Sequence, residues 1–166
     1  MELHMTRRYI SVVDTAKLIR AALKENFPGV KFSVRSDKYA GGASIHISWT
    51  DGPADQDVHQ ITQPFAGATF DGMIDLKSYV TGELDGEAVH FGADYVFTSR
   101  ELSDAERERL RPLVAAAVER AYGNTDLSPS RYYEGICVDG IDRVLAGGID
   151  AMIQTLSEYQ ARKVNV

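Results

Sequence analysis

The stretch SVRSDKYAGGASIHISWTDGP, residues Ser33–Pro53, decides how the chain is read. Val30, Phe32 and Val34 alternate with Lys31, Ser33 and Arg35 on one side of a small glycine-containing loop. Ile45, Ile47 and Trp49 alternate with Ser44, His46 and Ser48 on the other. Successive side chains of a strand point to opposite faces, so period two predicts two strands, each with one buried and one polar face. The pair Gly41-Gly42 suits either a phosphate cradle or a turn. A phosphate loop leads from a strand into a helix, where free N–H groups and the helix dipole meet the anion. Here a strand follows, and there is no Walker-type lysine. The spacing therefore predicts a mobile hairpin connection over 36–43, longer than two residues and without a bound anion.

Helical spacing precedes the hairpin. Leu18, Ile19, Ala22 and Leu23 fall on one face of a helix beginning near Asp14, capped by Asp14 or Ser11. Phe27-Pro28-Gly29 stops it. After the hairpin, Asp51-Gly52-Pro53 turns the chain into a second helix, with Pro53 at its first position. Its apolar stripe is Ala54, Val58, Ile61 and Phe65, and Pro64 ends its regular turns. Residues 66–79 read as a long connection anchored by Phe70, Met73 and Ile74. Asp85-Gly86 marks a hairpin between VTGEL and EAVHF, and YVFTSR adds a strand. Ser103-Asp104-Ala105-Glu106 is a capping box. The stripe that follows is Leu110, Leu113, Val114, Ala117, Val118 and Ala121, interrupted by Pro112, which predicts a kink or two helices, and Gly123 ends it. RYYEGICVDG reads as a short strand or ordered loop. Ile149, Met152, Ile153, Leu156 and Tyr159 mark a C-terminal helix. The expected fold class is α+β: one domain over 1–166, a small, mainly antiparallel sheet with helices packed on one face, and a helical extension over 104–166 packed on it.

Composition narrows the function classes. The 166 residues carry a formal charge of −6, which argues against a whole-surface DNA binder but leaves room for a local basic patch. No apolar run has the length of a membrane span, so no membrane partner is expected. With one cysteine, Cys137, no intrachain disulfide forms, and a cytoplasmic setting is the natural assignment. Ile136 and Val138 beside it suggest a buried, inert thiol. Asp55 and His59 share a helix face, but a metal site needs further ligands, and the sequence nominates none. The four Asp-Gly pairs lack the alternating acids of a calcium loop and read as turns. No nucleophile elbow, C-x-x-C or dinucleotide fingerprint occurs, and no cofactor is implied.

The segments TAKLIRAALKENFPGVKFSVRSDKYAGGASIHISWTDGP, FAGATFDGMIDLKSY and FGADYVFTSRELS, in this order, resemble the large polyvalent protein-associated domain family numbered twenty-nine. The resemblance covers residues 9–103. It implies a domain found in phages and conjugative elements, inside large proteins that enter recipient cells with DNA, and also standing alone. It carries over no catalytic residue.

The polar side of the first hairpin is the candidate site. Lys31, Ser33, Arg35, Ser44, His46 and Ser48 project from one side, with Lys38 and Tyr39 near the tip. Cations hold phosphates and an aromatic ring stacks on a base. The expected binding residues are Lys31, Arg35, Lys38, Tyr39 and His46, and the leading function is a non-enzymatic binding module contacting a host protein or single-stranded nucleic acid. The alternatives are a small hydrolase using His46 or His59 with an aspartate, and an acidic inhibitor of a host defence protein. Ile149, Met152, Leu156 and Tyr159 also suit a helix-pairing seam, which predicts a homodimer if they are not spent on an internal core.

Overall fold

Ser11 begins the first helix as its cap: its Oγ accepts from the Asp14 backbone N–H at 3.1 Å, satisfying one of the free donors of the first turn. The computed structural model describes residues 7–71, 73, 76–123, 127–128 and 130–164. His4 and Ile74 lie outside the described residues, as does the side chain of Phe70. The fold is α+β, with four helices and several small, mostly antiparallel sheets. The chain divides into two compact units, Met1–Trp49 with Asp55–Arg100 and Thr50–Ala54 with Glu101–Val166. Each has its own apolar core.

The first unit opens with strand β1 (Arg8–Ile10) and helix α1 (Val12–Asn26), then the hairpin strands β2 (Ser33–Tyr39) and β3 (Gly42–Thr50). Helix α2 (Asp55–Thr62) and one 3-10 turn (Gln63–Phe65) follow. Five strands complete the series: β4 (Ala68–Asp71), β5 (Leu76–Tyr79), β6 (Gly82–Leu84), β7 (Glu87–Phe91) and β8 (Tyr95–Glu101). They form three sheets with strand orders β2-β3-β8, β1-β7-β6 and β4-β5. The inner face of β2-β3-β8 presents Val34, Ile45, Ile47 and Val96 to Ile19 and Leu23 of α1 and Val58 of α2. Phe32 completes this core against Trp49, with ring centroids 5.4 Å apart. Leu18, one residue before Ile19, packs instead on Ile10, Val89 and Phe91 of the β1-β7-β6 sheet. One helix thus serves two sheets, because its apolar stripe is wide enough to face both. Most pairings are antiparallel, but β1 runs parallel to β7, with Tyr9 opposite His90.

Several local expectations change. The first hairpin turns in two residues, Ala40 and Gly41, since Tyr39 already pairs with Gly42. Gly41 alone supplies the positive φ, 89°, that this tight reversal needs. Helix α2 starts at Asp55, two residues after Pro53, and Pro64 sits inside the 3-10 turn that extends it. The presumed connection over 66–79 is a hairpin: Ala68 pairs with Tyr79 and Thr69 with Ser78. Met73 lies at its tip, 95% exposed, and not in the core as an anchor would be. Asp85 and Gly86 both adopt positive φ, 53° and 78°, as the two-residue turn between β6 and β7 demands.

The second unit pairs β9 (Tyr133–Cys137) with β10 (Val144–Gly147) and packs them with α3 (Asp104–Tyr122) and α4 (Ile149–Val164). Ser103 caps α3 through the Glu106 N–H at 3.2 Å, and the Glu106 carboxylate holds Arg109 at 2.8 Å. Pro112 lies within one continuous helix, on its exposed side. Leu110, Val114, Ala117 and Val118 are buried, whereas Leu113 is exposed. Cys137 is exposed, contrary to the expectation from its neighbours. In a strand, flanking residues point the other way, so burying Ile136 and Val138 turns Cys137 outward. Ile149, Met152 and Leu156 are buried within this unit's core, and the Tyr159 hydroxyl is held by Asp142. A homodimer seam through these side chains is therefore not available: the stripe is spent inside the unit.

Candidate binding face and cleft

The polar face of the first hairpin forms as its alternation demands. Arg35 stands opposite His46 and Asp37 opposite Ser44 in the β2–β3 register. Arg35 and His46 are exposed, but Ser44 is buried, with its Oγ 3.1 Å from His46 Nε2. The neighbouring strand supplies what sequence reading missed. Phe97 of β8 stacks on the His46 ring at 5.1 Å and 26°, and half of its own surface remains exposed. Tyr95, two residues earlier on the same face, lies 6.1 Å from Phe97. An aromatic on a solvent-facing sheet leaves a free π-face to stack on a planar group.

Rings and cations continue from there. Lys77 Nζ lies 5.8 Å from the Tyr95 ring and 5.1 Å from the Tyr79 ring. Tyr79 meets His90 edge-on at 5.7 Å, and His90 stacks on Tyr9 at 5.9 Å. Tyr9 and His90 are brought together by the parallel β1–β7 pairing, and Tyr79 arrives from the end of β5.

Beside these rings lies a cleft of about 420 Å³, with Asp94 in its wall. Asp94 is only 7% exposed. Its carboxylate accepts from Lys77 Nζ at 2.8 Å and from the Ala43 N–H at 3.2 Å, and the Tyr39 hydroxyl lies 3.5 Å away. Its backbone donates to the Ala43 carbonyl at 2.7 Å and accepts from the Ala68 N–H at 3.1 Å. One residue thereby ties the tip of the first hairpin to β4 and β5. This also explains Gly42. A Cβ there would collide with Asp94 Oδ2, so the second glycine makes room for a carboxylate, whereas Gly41 makes the turn.

Asp94 also perturbs its partners. Burial, then the Asp94 charge, holds the Tyr39 hydroxyl above a tyrosine's ordinary pKa. The hydrogen bond to Asp94 raises the Lys77 ammonium. Both shifts favour the protonated forms in the folded state, so their stabilising contribution is complete below the unfolded values and is lost as pH rises through the folded ones. The expected result is a loss of stability in the alkaline range where tyrosine and lysine ionise. Asp94→Asn should flatten it in denaturation midpoints measured against pH. An equally steep loss in that variant would refute the coupling.

The five residues nominated by sequence thus fall into groups. Arg35 and His46 face one another on the outer face, while Lys31 is exposed just ahead of β2. Lys38 shares the strand parity of Val34, opposite to Arg35, and lines the cleft. Tyr39 meets Asp94 beside it. His59 Nδ1 lies 3.3 Å from Gln63 Nε2. Among the described residues no group of three or more His, Cys, Asp or Glu is placed to hold a metal ion. No helix among them is long and apolar enough to cross a membrane. Phe97 was legible in YVFTSR, where Tyr95, Phe97 and Ser99 share a parity opposite to Val96. Lys77, Tyr79, His90 and Asp94 were not, because only strand pairing brings them together.

The family model for large polyvalent protein associated domain 29 matches residues 10–103. That is more than half of the chain, and the chain belongs to this family. The matched span contains the outer face and, except for Tyr9, the rings beside the cleft. No curated protein and no solved structure matches the chain.

Proposed function

We propose that this domain is a non-enzymatic binding module of a mobile genetic element, a phage, prophage or plasmid, that acts in the bacterial cytoplasm and holds single-stranded nucleic acid on the outer face of the β2-β3-β8 sheet. The observation that carries this reading is the half-exposed Phe97 stacked on His46, opposite Arg35. A ring offers a sequence-tolerant stacking platform and the guanidinium offers a phosphate contact, the two parts a single-strand site requires. Among the described residues the ring contacts of His46 and His59 are Ser44, Phe97 and Gln63, not an aspartate, which favours binding over the hydrolase alternative. The charge of −6 opposes approach of a polyanion, so affinity should be modest and salt-sensitive.

Fluorescence anisotropy with labelled single strands of DNA and RNA at low salt tests this. Phe97→Ala should weaken binding about tenfold, the loss of one stacked base. Arg35→Glu should remove binding while leaving the fold intact, since the side chain is exposed. If Arg35 and Lys31 are the phosphate contacts, log affinity should fall against log salt with a slope of roughly −1.4. No binding by the unmodified protein at low salt would end the nucleic-acid reading and leave a host protein as the partner of this face.

A further inference from the structure

We propose that the cleft beside Asp94 is a site for a nucleoside monophosphate group, either a free nucleotide or the phosphorylated end of a strand. This goes beyond the outer face and does not depend on it. The volume, about 420 Å³, falls within the range of small-molecule sites. Three kinds of group converge there, matching the three parts of a nucleotide.

Tyr9 and Tyr79 flank His90 at the cleft, and both tyrosines keep about two thirds of their surface exposed, 64% and 67%. Their free faces suit a base. Lys38 lines the same cleft, and no carboxylate among the described residues pairs with it. It is a point charge available to a phosphate. Asp94 supplies the acceptor. A carboxylate offers about four lone-pair positions. The strong contacts to Asp94 come from Lys77 and the Ala43 N–H, so capacity remains for a base amino group or a ribose hydroxyl.

The charge balance selects the ligand's sign. Lys77 neutralises Asp94, which leaves Lys38 as the net charge facing the cleft. A divalent cation would meet a single carboxylate and would have to displace an ammonium held at 2.8 Å. An anion with a planar group finds a cation in Lys38 and ring faces in Tyr9 and Tyr79.

Calorimetric titration of the full chain with the four ribonucleoside monophosphates tests the site, with inorganic phosphate and the corresponding nucleosides as partial ligands. At least one nucleotide should bind at millimolar concentration, and phosphate or nucleoside alone should bind at least about tenfold more weakly, because each supplies only part of the contacts. Lys38→Ala and Tyr79→Ala should each weaken binding about tenfold. Both residues are exposed or half-exposed, so the variants should fold, and circular dichroism verifies it. Phe97→Ala should leave nucleotide binding unchanged. Dinucleotides with and without a terminal phosphate distinguish the source: a clear preference for the phosphorylated one assigns a strand end, and equal or weaker binding than the mononucleotide assigns the free ligand. Absence of binding by all four nucleotides and by the phosphorylated dinucleotide overturns the proposal, as does binding indifferent to both Lys38→Ala and Tyr79→Ala. Single strands bound through Phe97 while no mononucleotide binds would remove the cleft and leave the outer face standing.

Discussion

Ile47→Ala lowers the unfolding free energy by about 2–5 kcal/mol, the cost of deleting buried methyl and methylene groups from a core that cannot fully collapse around the gap. Ile47 is the right position because it joins layers. It is 1% exposed, pairs with Val34 across the hairpin, and belongs to the core made with Ile19 and Leu23 of α1 and Val58 of α2. The loss of a few kcal/mol is a large share of the total stability of a domain. Urea denaturation measures it as a fall in midpoint. Val144→Ala is the control: a β-branched side chain likewise cut back to alanine, but 59% exposed, should change the unfolding free energy by no more than about 0.5 kcal/mol. An Ile47→Ala midpoint equal to the unmodified protein's would contradict the packing described for this sheet.

Gly42→Ala destabilises the first unit by about 1–3 kcal/mol, as expected where an added methyl has no space. The added carbon would meet the Asp94 carboxylate and crowd the Tyr39 ring, 3.0 Å away. To accommodate it, Asp94 must give up its place beside Lys77 and the Ala43 N–H. Gly41→Ala is a different experiment on an adjacent residue. Nothing lies within 4 Å of its added carbon, and the cost, about 1–2 kcal/mol, comes from the left-handed backbone alone. A double-mutant cycle separates the two. In an Asp94→Ala background the cost of Gly42→Ala should shrink, giving a coupling energy of about 0.5–3 kcal/mol, whereas Gly41→Ala should cost the same in both backgrounds. Strict additivity at Gly42 would show that the glycine is not there for the carboxylate. The same variant tests the cleft, since moving Asp94 removes its acceptor.

Element type was legible where periodicity ran long. The alternation over Ile45–Trp49 set β3 and its buried face, that over Val30–Val34 signalled a neighbouring strand that in fact runs from Ser33 to Tyr39, and the helical spacing of Leu18, Ile19 and Leu23 set α1. Turn chemistry was legible where backbone conformation left little choice: Asp85-Gly86 and the Ser11 and Ser103 caps behave as their residue types require. These are local properties, written within a few residues of chain.

Short segments with mixed patterns were not. ATFD and LKSY carry too little alternation to signal strands, and they form a hairpin because each supplies the other's ladder. Cys137 looked buried from composition, and strand parity alone turned it outward. The C-terminal stripe suited either a partner helix or an internal core, and packing against β9, β10 and α3 decided for the core.

The binding surfaces divide along the same line. Arg35 and His46 were readable together because antiparallel pairing within one hairpin follows from alternation and a turn. Lys38 was placed with them by nearness in sequence, but one residue of parity sends it to the cleft. Tyr9, Lys77, Tyr79, His90 and Asp94 come from β1, β5, β7 and the residues before β8, and no spacing in the chain relates them. Alternation and capping are decided by neighbours in sequence, whereas a cleft is decided by which strands pair, and pairing depends on the whole set of competing contacts in the folded unit.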